Sequence, residues 1–133
     1  MSPIYSHRID VRFRDCDPLG HVNNAVYLTY LEQARLHCWR VLWRFGEADS
    51  SIPGVIMARA EIDYRRPAQY GETLEIRISL AAIGRTSFTY DYEIVDEANA
   101  LVASARTVQV MYDYEAAKPV PIPDDVRQKM RES

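Results

Sequence analysis

The chain has 133 residues, 47% hydrophobic and 26% charged, with a formal net charge of −3. That is the length and composition of one domain with an ordinary core, and it excludes a disordered chain. The acidic balance argues against generic nucleic-acid or membrane-surface binding, and no stretch approaches the roughly 20 apolar residues of a membrane span. The first residues lack the apolar run of a signal peptide, and Cys16 and Cys38 fit neither a CxxC nor a zinc spacing. The expectation is a single cytoplasmic domain over residues 1–133.

In chain order, residues 4–14 predict a strand, because Ile9, Val11 and Phe13 alternate with Arg8, Asp10, Arg12 and Arg14. Pro18 and Gly20 break it, and Asn23 or Asn24 can cap the element that follows. Tyr27, Leu31, Ala34, Cys38, Val41 and Phe45 then recur at four- and three-residue steps. This predicts a helix over 24–45, about 33 Å long, closed by Gly46. Beyond a short loop the period changes to two, predicting strands over 55–65, 72–81, 86–95 and 101–113. Gly84 and the segment Asp96-Glu97-Ala98-Asn99 supply turns, and a proline-spaced tail leads to a short terminal helix. The order β-α-β-β-β-β predicts an α+β fold, with a largely antiparallel five-stranded sheet covered on one face by one long helix. One helix is a thin cover for such a sheet. An apolar face or an open edge then needs a partner, so at least a dimer is expected, with the site near the subunit boundary.

The segment Arg14-Asp15-Cys16-Asp17-Pro18-Leu19-Gly20-His21-Val22-Asn23-Asn24 concentrates the reactive side chains. Asp17 precedes a helix start, where unpaired backbone N–H groups near Val22 to Ala25 can bind a developing negative oxygen. A base or nucleophile beside such donors is what acyl transfer requires. From pattern alone, Asp17 is equally readable as the first residue of an Asp-Pro turn, and that is the plainer reading. Asp15 can support Asp17 by raising its pKa through like-charge repulsion or be a solvated charge at a strand end, and the second is the plainer reading. Cys16, between two acids, is disfavoured as a thiolate. His21 can orient Asp17 or a water, and Asn23 and Asn24 can simply cap. Glu32, two turns beyond Asn24, can reach the site or face solvent. Arg59, Arg65, Arg66 and Arg85 can clamp phosphates or pair with Glu61, Asp63 and Glu72. His7, His21 and His37 have no metal-ligand spacing.

Taken together these residues resemble the hotdog-fold thioesterases of the 4-hydroxybenzoyl-CoA thioesterase family. The Gly-His-Val-Asn-Asn form is most similar to the bacterial long-chain acyl-CoA branch. The signature from Arg14 to Asn24 carries the likeness, with Tyr27-Leu28 and Glu32-Gln33-Ala34-Arg35 behind it. Ile62-Asp63-Tyr64-Arg65-Arg66-Pro67, Gly71-Glu72 and Gly84-Arg85-Thr86-Ser87-Phe88 support it over roughly residues 5–125.

The resemblance implies a sheet wrapped around the helix and self-association as a homodimer or homotetramer. It implies hydrolysis of acyl-CoA to free acid and CoA, with CoA as part of the substrate and no separate cofactor. It makes Asp17 the catalytic carboxylate and the Asn24 backbone N–H the carbonyl-polarising donor. His21 and Asn23 shape the site, and Tyr27 and Glu32 line it. The acyl chain then runs along the helix near Tyr27, Tyr30 and Leu31, and Arg65, Arg66 or Arg85 meets the CoA phosphates. Two other readings stand beside it: an enoyl-thioester hydratase or dehydratase of the same fold, and a non-catalytic acyl-CoA-binding module.

Overall fold

A computed structural model describes residues 2–48 and 50–133. Strand β1 (Tyr5–Asp10) leads through a 3-10 turn (Phe13–Asp15) to helix α1 (Asn24–Trp43). Strands β2 (Val55–Tyr64), β3 (Thr73–Ile83), β4 (Ser87–Val95) and β5 (Leu101–Asp113) follow. A two-residue strand, β6 (Lys118–Pro119), and helix α2 (Asp124–Glu132) close the chain. The sheet order is β1-β3-β4-β5-β2, every pair is antiparallel, and β6 adds to β5. The expected fold is present, with β1 and β2 as its edges.

Inward side chains alternate along the strands as a half-buried sheet demands. Leu74, Ile76 and Ile78 of β3 and Phe88, Tyr90, Tyr92 and Ile94 of β4 are buried, and α1 packs on them. Polar bonds then fix the helix. Trp39 Nε1 donates to the Tyr90 hydroxyl at 2.9 Å, and the Tyr30 hydroxyl donates to Asp15 at 2.7 Å. Helix α2 buries Val126 and Met130, and its Arg127 donates to the Gly84 carbonyl at 2.9 Å, pinning the β3–β4 turn.

Four expectations need correction. The first strand stops at Asp10, because the Arg12 backbone N–H and side chain both bond Asp15 and curl the chain into the 3-10 turn. Phe13 is thereby turned out, 78% exposed, against the Tyr70 ring. Asp15 is only 3% exposed, not solvated. The buried stripe of α1 also drifts. Val41 is exposed, while Trp39 and Trp43 stack and cover Phe88. A twisted sheet turns beneath a straight helix, so the contacting face moves round it. Arg44, in the left-handed conformation (φ 56), ends α1 two residues before the predicted limit.

Candidate active site

The site begins with a closed loop. Gly20, at φ 83, lets its N–H reach back to the Asp17 carbonyl at 2.9 Å. The Asp17 N–H bonds the His21 carbonyl at 2.8 Å, and Cys16 bridges Val22. Within this loop Asp17 Oδ1 accepts from the N–H groups of Leu19 at 2.9 Å and His21 at 3.4 Å. Asp17 is therefore both turn former and oriented carboxylate. One oxygen is held, and Oδ2 has no partner among the described residues.

Asp15 serves this loop from behind. Its carboxylate accepts from Arg12 and Tyr30, and its carbonyl accepts from the Asn23 N–H at 3.0 Å. Burial pulls its pKa up. The Arg12 side-chain and backbone bonds and the Tyr30 hydroxyl outweigh that and hold it below the ordinary value. Asp15 thus ties the turn to the start of α1.

The four N–H groups from Val22 to Ala25 resolve differently. Val22 donates to Ala68 O at 2.9 Å, Asn23 to Asp15 O, and Ala25 to Asn23 Oδ1 at 2.9 Å. Asn23 is thus the helix cap. Asn24, the first helical residue, keeps an N–H with no acceptor among the described residues.

Asp17, His21, Asn24 and Tyr27 line one cleft of about 260 Å³, closed on the other side by Tyr64, Arg65, Arg66 and Pro67. Tyr27 is buried there and its hydroxyl accepts from the Ala68 N–H at 3.1 Å. Burial raises the pKa of Tyr27. Tyr64, not singled out in the sequence, packs edge-on to Tyr27 and donates its hydroxyl to the Asn24 carbonyl at 2.9 Å. Its one signal was its place at a strand end before Arg65-Arg66-Pro67.

The arginines divide. Arg66 pairs with Glu72 at 2.6 Å and Asp96 at 2.7 Å, which raises its pKa and lowers those of both acids. Arg59 pairs with Glu61 at 3.4 Å. Arg65 is exposed on the cleft rim with no acid partner among the described residues. Arg85 follows β3 at the end away from the cleft, roughly 33 Å along the strand, so one chain does not bring it to Asp17.

Glu32 lines a groove farther along α1, together with Arg35 and Met57. Tyr30 and Leu31, expected beside an acyl chain, are sealed in the core, and Leu28, Thr29, Glu32 and Arg35 face the groove. The Cys16 thiol points at the Arg12 carbonyl, and burial pushes the Cys38 thiol up to about 12. Among the described residues no three His, Cys, Asp or Glu side chains converge as a metal set. No helix among them is long and apolar enough to cross a membrane.

Comparison with known proteins matches residues 11–130 to the thioesterase-like superfamily. A Thermus thermophilus thioesterase, solved with coenzyme A and zinc, superposes with a TM-score of 0.84 at 33% identity, over 98% of this chain and 99% of that one. The 1,4-dihydroxy-2-naphthoyl-CoA hydrolase of Synechococcus elongatus is 28% identical over 123 residues, 90% of each chain. The long-chain acyl-CoA thioesterase FadM of Escherichia coli is 27% identical over 126 residues, covering 94% of this chain and 96% of that one. The chain belongs to the thioesterase-like superfamily and is a hotdog-fold thioesterase.

Proposed function

We propose that the chain hydrolyses acyl-CoA thioesters with Asp17 as its catalytic carboxylate and the Asn24 N–H as oxyanion donor. One observation carries this reading. Of the four N–H groups from Val22 to Ala25, only that of Asn24 has no acceptor among the described residues, and it shares a cleft with Asp17, whose Oδ2 has no partner among them. The thioester carbonyl carbon is attacked by Asp17 Oδ2, or by a water that Asp17 deprotonates. Negative charge gathers on the carbonyl oxygen at Asn24 N–H. Collapse breaks the C–S bond and expels the CoA thiolate, which takes a proton. In the nucleophilic route a water then cleaves the acyl-aspartyl anhydride; both routes yield acid and thiol.

His21, beside Asp17, shapes the cleft. A hydratase needs a histidine ring paired with an acid. Among the described residues only the His21 backbone meets Asp17, its N–H donating to Asp17 Oδ1 and its carbonyl accepting from the Asp17 N–H, and no bond pairs the ring with the acid, so hydrolysis is the better supported chemistry. The exposed Arg65 is the CoA phosphate contact within the chain.

The edge of β2, which among the described residues pairs with β5 alone, supports self-association as a homodimer, or a homotetramer built from it. Met57 and Tyr64 on β2 and Leu28 on α1 are 40%, 43% and 43% exposed along that seam. Two-fold pairing of β2 with β2 sets the sheets antiparallel and turns the Arg85 end of one chain toward the cleft of the other. A cytoplasmic setting suits the unpaired cysteines. The test is thiol release from short, long and aromatic acyl-CoAs. Release from at least one class is expected. Tight acyl-CoA binding without release from any of them overturns the reading in favour of a binding module.

A further inference from the structure

We infer that Arg35 is a specificity-determining residue that recognises an oxygen acceptor, a carboxylate or phenolic oxygen, at the distal end of the acyl group. The inference rests on the acyl-CoA hydrolysis proposed above and names the substrate class. Arg35 lies on the buried face of α1 and is only 7% exposed. Arginine is rarely buried so deeply without an acid. Among the described residues its guanidinium forms no ion pair and one hydrogen bond, from Nη1 to the neutral Tyr92 hydroxyl at 3.2 Å.

No fully enclosed side-chain nitrogen or oxygen among the described residues lacks a partner. Nε and Nη2 of Arg35, which have none, must therefore stay open to solvent. The opening is the groove between α1 and β2, about 240 Å³, which Arg35 lines. The base of the groove is polar. Thr107 of β5 lines it, is buried, and is bonded to the Tyr92 hydroxyl at 2.5 Å and to the buried Gln109, which lines the adjoining hollow along α1. The sides are apolar, from Leu28 and Met57. Apolar walls leading to one guanidinium with uncommitted N–H groups suit an acyl chain with an oxygen at its end.

Placement along the seam agrees. The Asp17 cleft is bounded by Asn24 and Tyr64, and farther along the same helix and strand the groove is lined by Leu28 and Ala60, then Arg35 and Met57. Asn24 and Arg35 are 11 residues apart, about 16 Å along the axis. Helical side chains lean toward the N-terminus, so the guanidinium reaches back toward the cleft. An acyl group anchored by its carbonyl at Asn24 would present its far end to Arg35. The acid of the groove, Glu32, is exposed and makes no ion pair with Arg35, so within one chain no acid among the described residues compensates that charge.

The test measures kcat/KM of the wild-type enzyme on matched CoA thioesters. One series compares methyl and carboxylate ends over increasing chain length, and a second compares aryl with hydroxyaryl acyl groups. A preference on the order of 10-fold or more for the oxygen-bearing member is expected in at least one series, the scale of a charge-assisted hydrogen bond. Which series shows it separates carboxylate from phenolic recognition. Arg35→Met should erase the preference while still releasing thiol from methyl-ended substrates, and Arg35→Lys should retain part of the carboxylate preference. Equal or better hydrolysis of the plain substrates throughout by wild type overturns the inference, as does a preference that survives Arg35→Met. If Arg35→Met fails to fold, the wild-type comparison still decides. Thiol release without preference removes this inference alone, whereas no release from any thioester removes the hydrolytic reading beneath it.

Discussion

Two aspartates two residues apart do opposite work. Asp15 is enclosed and spends its carboxylate on Arg12 and Tyr30, whereas Asp17 keeps an oxygen free beside the helix start. Asp15→Ala should therefore cost about 1–3 kcal/mol of stability, measured by urea unfolding, because it strips a buried hydroxyl of its acceptor. The pH dependence has a definite sign. Asp15 and Glu72 titrate below their ordinary values of 3.8 and 4.5 in the folded chain. Their stabilisation is complete above those values and is lost as pH falls through the folded ones. Thermal midpoints should fall steeply below about pH 4.5, and less steeply in Asp15→Ala. At the rim, Arg65→Gln should raise KM for acyl-CoA with little change in kcat. The wild-type KM should rise with salt more than that of the variant. An unchanged KM at low salt would take Arg65 out of phosphate contact.

At the scale of elements, the regular parts were legible. The four later long strands and the body of α1 appear where two- and 3.6-residue periods set them, β5 spans 101–113 as expected, and β1 is cut short. The 3-10 turn was not, because it depends on Asp15 bonding backbone and side chain of Arg12, and alternation in Val11 and Phe13 mimics a longer strand. The site was half legible. Asp17, His21, Asn24 and Tyr27 are neighbours in sequence and come together, while Arg66 and Glu72 had alternatives that only tertiary pairing decides. Arg35 was overlooked as a site residue although it continues the stripe of Tyr27 and Leu31. A cation on an apolar face was its signal.

For the whole molecule, α1 and α2 cover one side of the sheet and the β2 edge stays open. A charge placed there should block edge pairing. Met57→Asp is expected to convert an oligomer to monomer in light scattering while leaving the circular dichroism of the fold intact. If the cleft is completed by the second copy, thiol release should fall with it. A wild-type monomer at working concentration would contradict this assembly.

In the proposed mechanism one carboxylate, held by its own turn against one helix N–H, performs the hydrolysis. The most direct test is kcat of Asp17→Asn on the best acyl-CoA substrate, with CoA affinity measured alongside to show an intact cleft. The expected result is a fall of about 10²–10⁴ in kcat with CoA affinity retained. A kcat close to wild type would contradict the account.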